Sequence, residues 1–170
     1  MPEEKNWYVG YVRSCQEKRV AAALRVAGEE CYVPMRRERR RWSDRVKTVD
    51  VLLLKGIVFI HTTGSRRLEL LKGIYGLCSF MADKATHRPV VVPDVQMNAF
   101  IFMVERSGTP VYVSTGHFAP GDRVRIRCGS MTGLEGELVR HGGGHRLLLR
   151  LERLACAMVD VRMEDVEKIC

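Results

Sequence analysis

Between Arg36 and Lys47 the chain sets seven basic side chains (Arg36, Arg37, Arg39, Arg40, Arg41, Arg45 and Lys47) against only Glu38 and Asp44. Guanidinium groups hold phosphate through paired, charge-assisted hydrogen bonds, so a run this dense suits a phosphate backbone. Trp42 lies inside the run, where an exposed indole could stack on an unpaired base. The alternative is a solvated hairpin with a mobile tip. The weight of base over acid favours nucleic-acid contact. The chain as a whole carries +8, and residues 1–108 hold 19 basic against 12 acidic side chains, whereas residues 109–170 hold 9 against 8. The surplus therefore sits in the N-terminal part, and charge alone fits contact with phosphate and simple solubility equally well.

Little else in the sequence offers chemistry. His141 and His145 flank three glycines. Two imidazoles could ligate a metal, but no third ligand is near, so a polar turn is expected. The six cysteines form no CxxC pair and suggest neither a zinc site nor a disulfide framework. They are expected to be reduced thiols serving as small apolar residues. The chain contains no HExxH, Walker loop, nucleophile elbow, glycine-rich phosphate fingerprint or convincing carboxylate pair. A binding protein is expected rather than an enzyme, with no cofactor and no metal. No apolar run approaches a membrane span, and the opening MPEEKNW is polar, so a cytoplasmic monomer with no membrane contact is expected.

The elements that must position these residues are legible in outline. Residues 7–13 read as a strand rich in aromatic and β-branched residues. Ser14 and Glu17 have the spacing of a capping box, and a helix with Val20, Ala23, Leu24 and Ala27 on one face should run to Gly28. Strand 31–33 ends at Pro34. The basic run and the β-rich VKTVDVLLL that follows it read as a long hairpin with its tip at Ser43–Asp44. Gly56 introduces IVFI, a buried central strand. A short helix at 66–72, strands near 78–81 and 90–92, and a helix from Asp94 with Met97, Phe100, Ile101 and Val104 on one face complete an α/β sandwich. Residues 107–117, rich in Ser, Thr, Gly and Pro, mark a linker between a domain at 1–106 and one at 118–170. In the latter, short strands punctuated by glycine indicate a small β-barrel. Segment 146–158 has the composition of a helix, with Leu147, Leu151, Leu154 and Met158 at helical spacing. The better strand patterns at Val124–Cys128 and Gly136–Val139 should nevertheless template the barrel.

Gly121-Asp122-Arg123-Val124-Arg125-Ile126, followed by Gly129 to Val139, resembles the KOW motif, an SH3-like barrel of NusG-type factors and some ribosomal proteins. Trp7-Tyr8-Val9, Gln16-Glu17-Lys18, Tyr32-Val33-Pro34, Arg41-Trp42-Ser43-Asp44-Arg45 and Gly56-Ile57-Val58-Phe59-Ile60 occur in the order of the NGN domain of the same factors. The resemblance spans nearly the whole chain and implies an α+β architecture, an NGN sandwich followed by a KOW barrel. The wording of Arg40–Thr48 and of Gly136–Ile169 is similar to specialised NusG paralogues that antiterminate capsular and other surface-polysaccharide operons. Lys55 and Ile57 depart from the family, standing where a proline and an aromatic residue are usual. Ser130 likewise follows the loop glycine in place of proline.

The resemblance implies a transcription elongation and antitermination factor. Tyr11, Ile57 and Phe59, with Met97 and Phe100, would receive the clamp helices of the RNA polymerase β′ subunit. Arg13 would face non-template or upstream DNA beside the basic hairpin. Met131 and Leu134 would dock ribosomal protein S10 or the termination factor Rho. A housekeeping NusG acting with Rho, or a KOW-type RNA- or ribosome-binding protein, is the alternative. His61-Thr62-Thr63 falls too early to match an HTT element of the family and is read as a strand end.

Overall fold

The computed structural model describes residues 2–170. The chain divides into two compact units, one running to Pro34 and from Leu54 to Asp94, the other comprising Met35–Leu53 and Val95–Cys170.

The first unit is built on β1 (Asn6–Val12). One edge of β1 pairs antiparallel with β5 (Ile57–Thr62), which in turn pairs with β2 (Glu30–Tyr32). Its other edge is shared by β6 (Leu77–Phe80), at Gly10–Val12, and β7 (Val91–Val92), at Trp7–Tyr8. Strand alternation divides the sheet. Trp7, Val9 and Tyr11 sit opposite His61, Phe59 and Ile57 on one face, while Tyr8 and Gly10 sit opposite Ile60 and Val58 on the other.

Helix α1 (Glu17–Val26) buries Val20, Ala21 and Leu24. The expected capping box does not form, since the Ser14 hydroxyl contacts only Cys15 and no side chain caps the helix. Glu17 turns inward instead, and its carboxylate accepts the Gly56 backbone N–H at 2.7 Å. Gly56 has φ +73°, a conformation that costs a side-chain-bearing residue dearly. Helix α2 (Gly64–Gly73) is capped by Thr63, whose hydroxyl accepts the Arg66 amide. Arg67 of α2 then lies 5.4 Å over the Tyr8 ring and 5.2 Å over that of Phe80, fastening the helix through cation–π contact.

In the second unit β3 (Met35–Arg41) and β4 (Val46–Leu52) form a two-stranded hairpin, closed at the expected tip by the Trp42 amide donating to the Arg45 carbonyl. Helix α3 (Asp94–Arg106) buries Met97, Phe100 and Met103. The expected stripe is thus rotated, with Ile101 and Val104 only half-buried. The remaining strands are β8 (Val111–Ser114), β9 (Asp122–Ile126), β10 (Glu135–His141), β11 (Gly144–Leu151), β12 (Ala155–Val161) and β13 (Val166–Lys168). They follow the order β13-β9-β10-β11-β12-β8. β8 lies within the segment whose composition marks a linker, because Val111-Tyr112-Val113 supplies a strand pattern that pairs with β12.

Segment 146–158 is strand, turn and strand, as the neighbouring patterns require. Leu147, Leu149 and Leu151 oppose Val159, Ala157 and Ala155 on one buried face, while Leu148, Cys156 and Met158 pack with Phe118 and Val139 on the other. The apparent helical stripe is split between the two faces. Burying leucines of this kind gains about 1.5–3 kcal/mol each, which outweighs a few tenths of a kcal/mol of helix preference per residue. All six cysteines are free, but only Cys156 is buried, and Cys15, Cys78, Cys128 and Cys170 are exposed, so most are not core residues.

Candidate functional site

The basic hairpin sorts its charges by face. Residues directly opposite one another in an antiparallel ladder share a face. Arg37, Arg39 and Arg41 oppose Asp50, Thr48 and Val46, whereas Arg36, Glu38 and Arg40 oppose Val51, Val49 and Lys47. On the second of these faces Glu38 lies between Arg36 and Arg40 and forms an ion pair with each. Arg36 also donates to the Val111 carbonyl at 3.5 Å, so its guanidinium is occupied within the fold. On the first face Arg37 reaches Asp50 at 3.8 Å. Arg39 and Arg41 are exposed and have no acidic partner among the described residues. At the tip Arg45 lies 3.9 Å from Asp44, and the Lys47 ammonium sits 5.8 Å from the centre of the half-exposed Trp42 ring. The expected cluster of seven cations is therefore two free arginines and a lysine–indole pair, with Arg36, Arg37, Arg40 and Arg45 partly neutralised.

Arg13 is exposed at the end of β1 in the first unit. Its guanidinium lies 5.3 Å over the Tyr75 ring and donates to the Tyr75 hydroxyl at 3.3 Å. Tyr75 is 71% exposed, so the pair forms a cationic, aromatic surface. Sequence reasoning missed Tyr75. The only available signal was an aromatic residue between Gly73 and Gly76, and its partner lies 62 residues away.

Of the residues matched to the clamp-binding face, Tyr11 and Ile57 are direct cross-strand partners, and Phe59 is two residues along the same face. Tyr11 is 38% exposed, Ile57 is buried, and Phe59, Met97 and Phe100 are wholly buried. The Trp7 and His61 rings stack at 4.9 Å on the same face as Tyr11. His61 also bonds to Glu30 at 2.8 Å; His61 and Thr62 close β5, the expected strand end, and Thr63 in addition caps α2.

In the second unit Leu134 is buried and Met131 half-buried. Leu134 lines a cavity of 610 Å³ together with Val95, Ala99, Phe102, Leu148 and Leu149. The Gln96 amide joins α3 to the β11–β12 turn, accepting the Glu152 N–H at 2.8 Å and donating to its carboxylate at 3.1 Å. His141 and His145 lie at the tip of the β10–β11 hairpin. Among the described residues no cluster of three or more His, Cys, Asp or Glu side chains could hold a metal, and no helix is long and apolar enough to cross a membrane.

An antiparallel sheet with its helices in the first unit, and an antiparallel sheet in the second, carry the charged and aromatic surfaces described above. The family model described as transcription termination factor NusG matches residues 5–101, more than half of the chain. The protein belongs to the NusG family of transcription factors. Among solved structures it is similar to that described as domain interaction in Thermotoga maritima NusG, with 21% identity, a TM-score of 0.50 and 98% of each chain covered. It also matches the MjSpt4:Spt5 complex in conformation A, with 16% identity, a TM-score of 0.33 and 96% of this chain and 97% of that one covered. No curated protein matches.

Proposed function

We propose that this chain is a transcription elongation and antitermination factor that binds RNA polymerase through the sheet face bearing Tyr11, Ile57 and Phe59. The observation that carries the reading is the pairing of a part-exposed Tyr11 with a buried Ile57 in a member of the NusG family. A ring anchored on an apolar floor is suited to the apolar side chains of a helix pair, here the clamp helices of the β′ subunit. Met97 and Phe100, wholly buried on α3, complete the set of residues matched to this contact. The factor suppresses pausing by binding the closed clamp better than the open one, since a ligand shifts an equilibrium only by its differential affinity.

Arg39, Arg41, Lys47 and Trp42 of the hairpin, with Arg13 and Tyr75, contact non-template or upstream DNA. The KOW domain recruits a second partner, ribosomal protein S10 or Rho, through Met131 and neighbouring loop residues. The wording of Arg40–Thr48 and Gly136–Ile169 favours operons for capsular or other surface polysaccharides as targets. The test is capture of purified RNA polymerase by the full chain and by its Tyr11→Glu variant. Capture by the parent alone supports the reading, and equal capture by both, or by neither, overturns it. A terminator-reporter assay then separates antitermination from termination with Rho.

A further inference from the structure

The turn joining β10 to β11 carries positive charge that the fold leaves unbalanced. Elsewhere on this sheet Arg123 and Arg125 share Glu135, Arg146 meets Asp160 and Arg150 meets Glu137. Arg140 has no such acid among the described residues, and neither has His141 or His145. Arg140 and His145 are direct cross-strand partners, so their side chains leave the same face, while His141 pairs with Gly144. Gly142 and Gly143, at φ +60° and +81°, form a turn that L side chains rarely adopt, and open space lies over both positions. No Cβ covers their amides. Arg140, His141, His145 and the three glycines together line a hollow of 360 Å³. That volume readily takes a phosphate group, when a water molecule's share of liquid is about 30 Å³. The exposed His141 ring is backed by Phe118 at 6.3 Å, giving a π surface beside the hollow.

We propose that this hairpin tip binds the phosphodiester backbone of a single-stranded nucleic acid. Arg140 offers paired donors to the phosphate oxygens, His145 and the glycine amides add further donors, and His141 stacks on an unpaired base. An acidic protein segment would meet the charge but leave the ring surface and the open amides unused. The site shares no residue with the Arg39–Arg41 face and does not depend on it.

The test is amide-resolved NMR of the full chain titrated separately with a short oligouridylate, inorganic phosphate and a glutamate-rich peptide. With oligouridylate the amides of Gly142, Gly143 and Gly144 should shift to saturation. The R140Q/H145Q variant should bind about tenfold more weakly, the loss expected of a charge-assisted hydrogen-bonding pair. R39Q/R41Q should leave the glycine shifts intact, which separates this site from the β3–β4 hairpin. Absence of the glycine shifts, their appearance only with inorganic phosphate or the peptide, or unchanged affinity of R140Q/H145Q overturns the proposal. Should the double variant melt below the parent, the parent's glycine shifts alone decide.

Discussion

The Glu17 carboxylate, 3% exposed, accepts the backbone N–H of Gly56 at 2.7 Å, so the first turn of α1 holds the residue that immediately precedes β5. Gly56 in turn accepts from the Val12 amide at 2.9 Å, which ties the end of β1 to the start of β5. These contacts frame the pair formed by Tyr11 and Ile57. A buried acid with an amide for a partner is thus a positioning residue for the proposed polymerase face.

Glu17→Ala should leave the Gly56 N–H without a partner in a part-buried setting, at a cost of about 1–3 kcal/mol. Glu17→Gln keeps an acceptor of similar shape and should cost less. Urea denaturation measures both. The expected order of stability is parent, Gln, Ala, with the amide of Ile57 shifted in the Ala variant. Equal stability of Ala and parent would show that the hydrogen bond holds nothing.

Tyr11 and Phe59 share a face but call for different experiments. Phe59 is fully buried, so a charge placed there destabilises the fold before any partner is consulted. Tyr11→Glu alters a side chain already 38% exposed. It should change the melting temperature little and weaken polymerase binding by roughly 30-fold, the effect typical of truncating a central aromatic anchor. Calorimetric melting and a binding titration, run on the same sample, distinguish a weakened interface from a damaged fold.

For the hairpin, the pairing pattern replaces a uniform expectation with a selective one. R39Q/R41Q removes the two uncompensated guanidiniums and should flatten the dependence of log affinity on log salt by about 0.7–0.9 for each phosphate that is no longer neutralised. Arg40→Gln removes a charge already paired with Glu38 and should change the slope much less. Identical slopes for R39Q/R41Q and parent would mean that the hairpin is only solvated.

Periodicity was sufficient for the strand of Trp7–Val12, the hairpin with its Trp42–Arg45 tip, and the alternation of Arg123 to Ile126, because local pattern and tertiary burial agree there. It misplaced Glu17, where the capping box competes with a distant amide that local spacing cannot reveal. The buried stripe of α3 turned from Ile101 and Val104 towards Met103, since apolar residues lie on more than one side of this helix and burial, not spacing, selects among them. Cross-strand neighbours decided which arginines are free. Glu38 neutralises Arg36 and Arg40 because i and i±2 share a face, which the sequence contains, but Arg36 also bonds to Val111, which it does not. Tyr75 gained its meaning only from Arg13, on the far side of a chain reversal.

The pairing of Glu137 with Arg150 should give the second unit a definite response to acid. Burial pushes the Glu137 carboxyl up, but hydrogen bonds from Arg150 and the Gly121 amide, with the charges of Arg150 and Arg123, hold it below its ordinary value of 4.5. Arg150 reaches the two carboxylate oxygens at 2.7 and 3.1 Å and also donates to the Phe118 carbonyl at 3.0 Å, linking β10, β11 and the segment before β9. Hydrogen bonds from Arg125 likewise lower Glu135, against some opposing desolvation. The unfolded chain therefore takes up protons at these sites more readily than the folded one. The stabilisation is complete above the ordinary carboxyl value and drains as pH falls through the lowered folded values. Melting temperature should accordingly fall on acidification from about pH 6 to about pH 3. Glu137→Gln should be less stable than the parent at the upper end, and its decline towards the lower end should be shallower. Thermal melts of both proteins across that range test this, and parallel curves would show that the Glu137 carboxylate contributes nothing to the acid response.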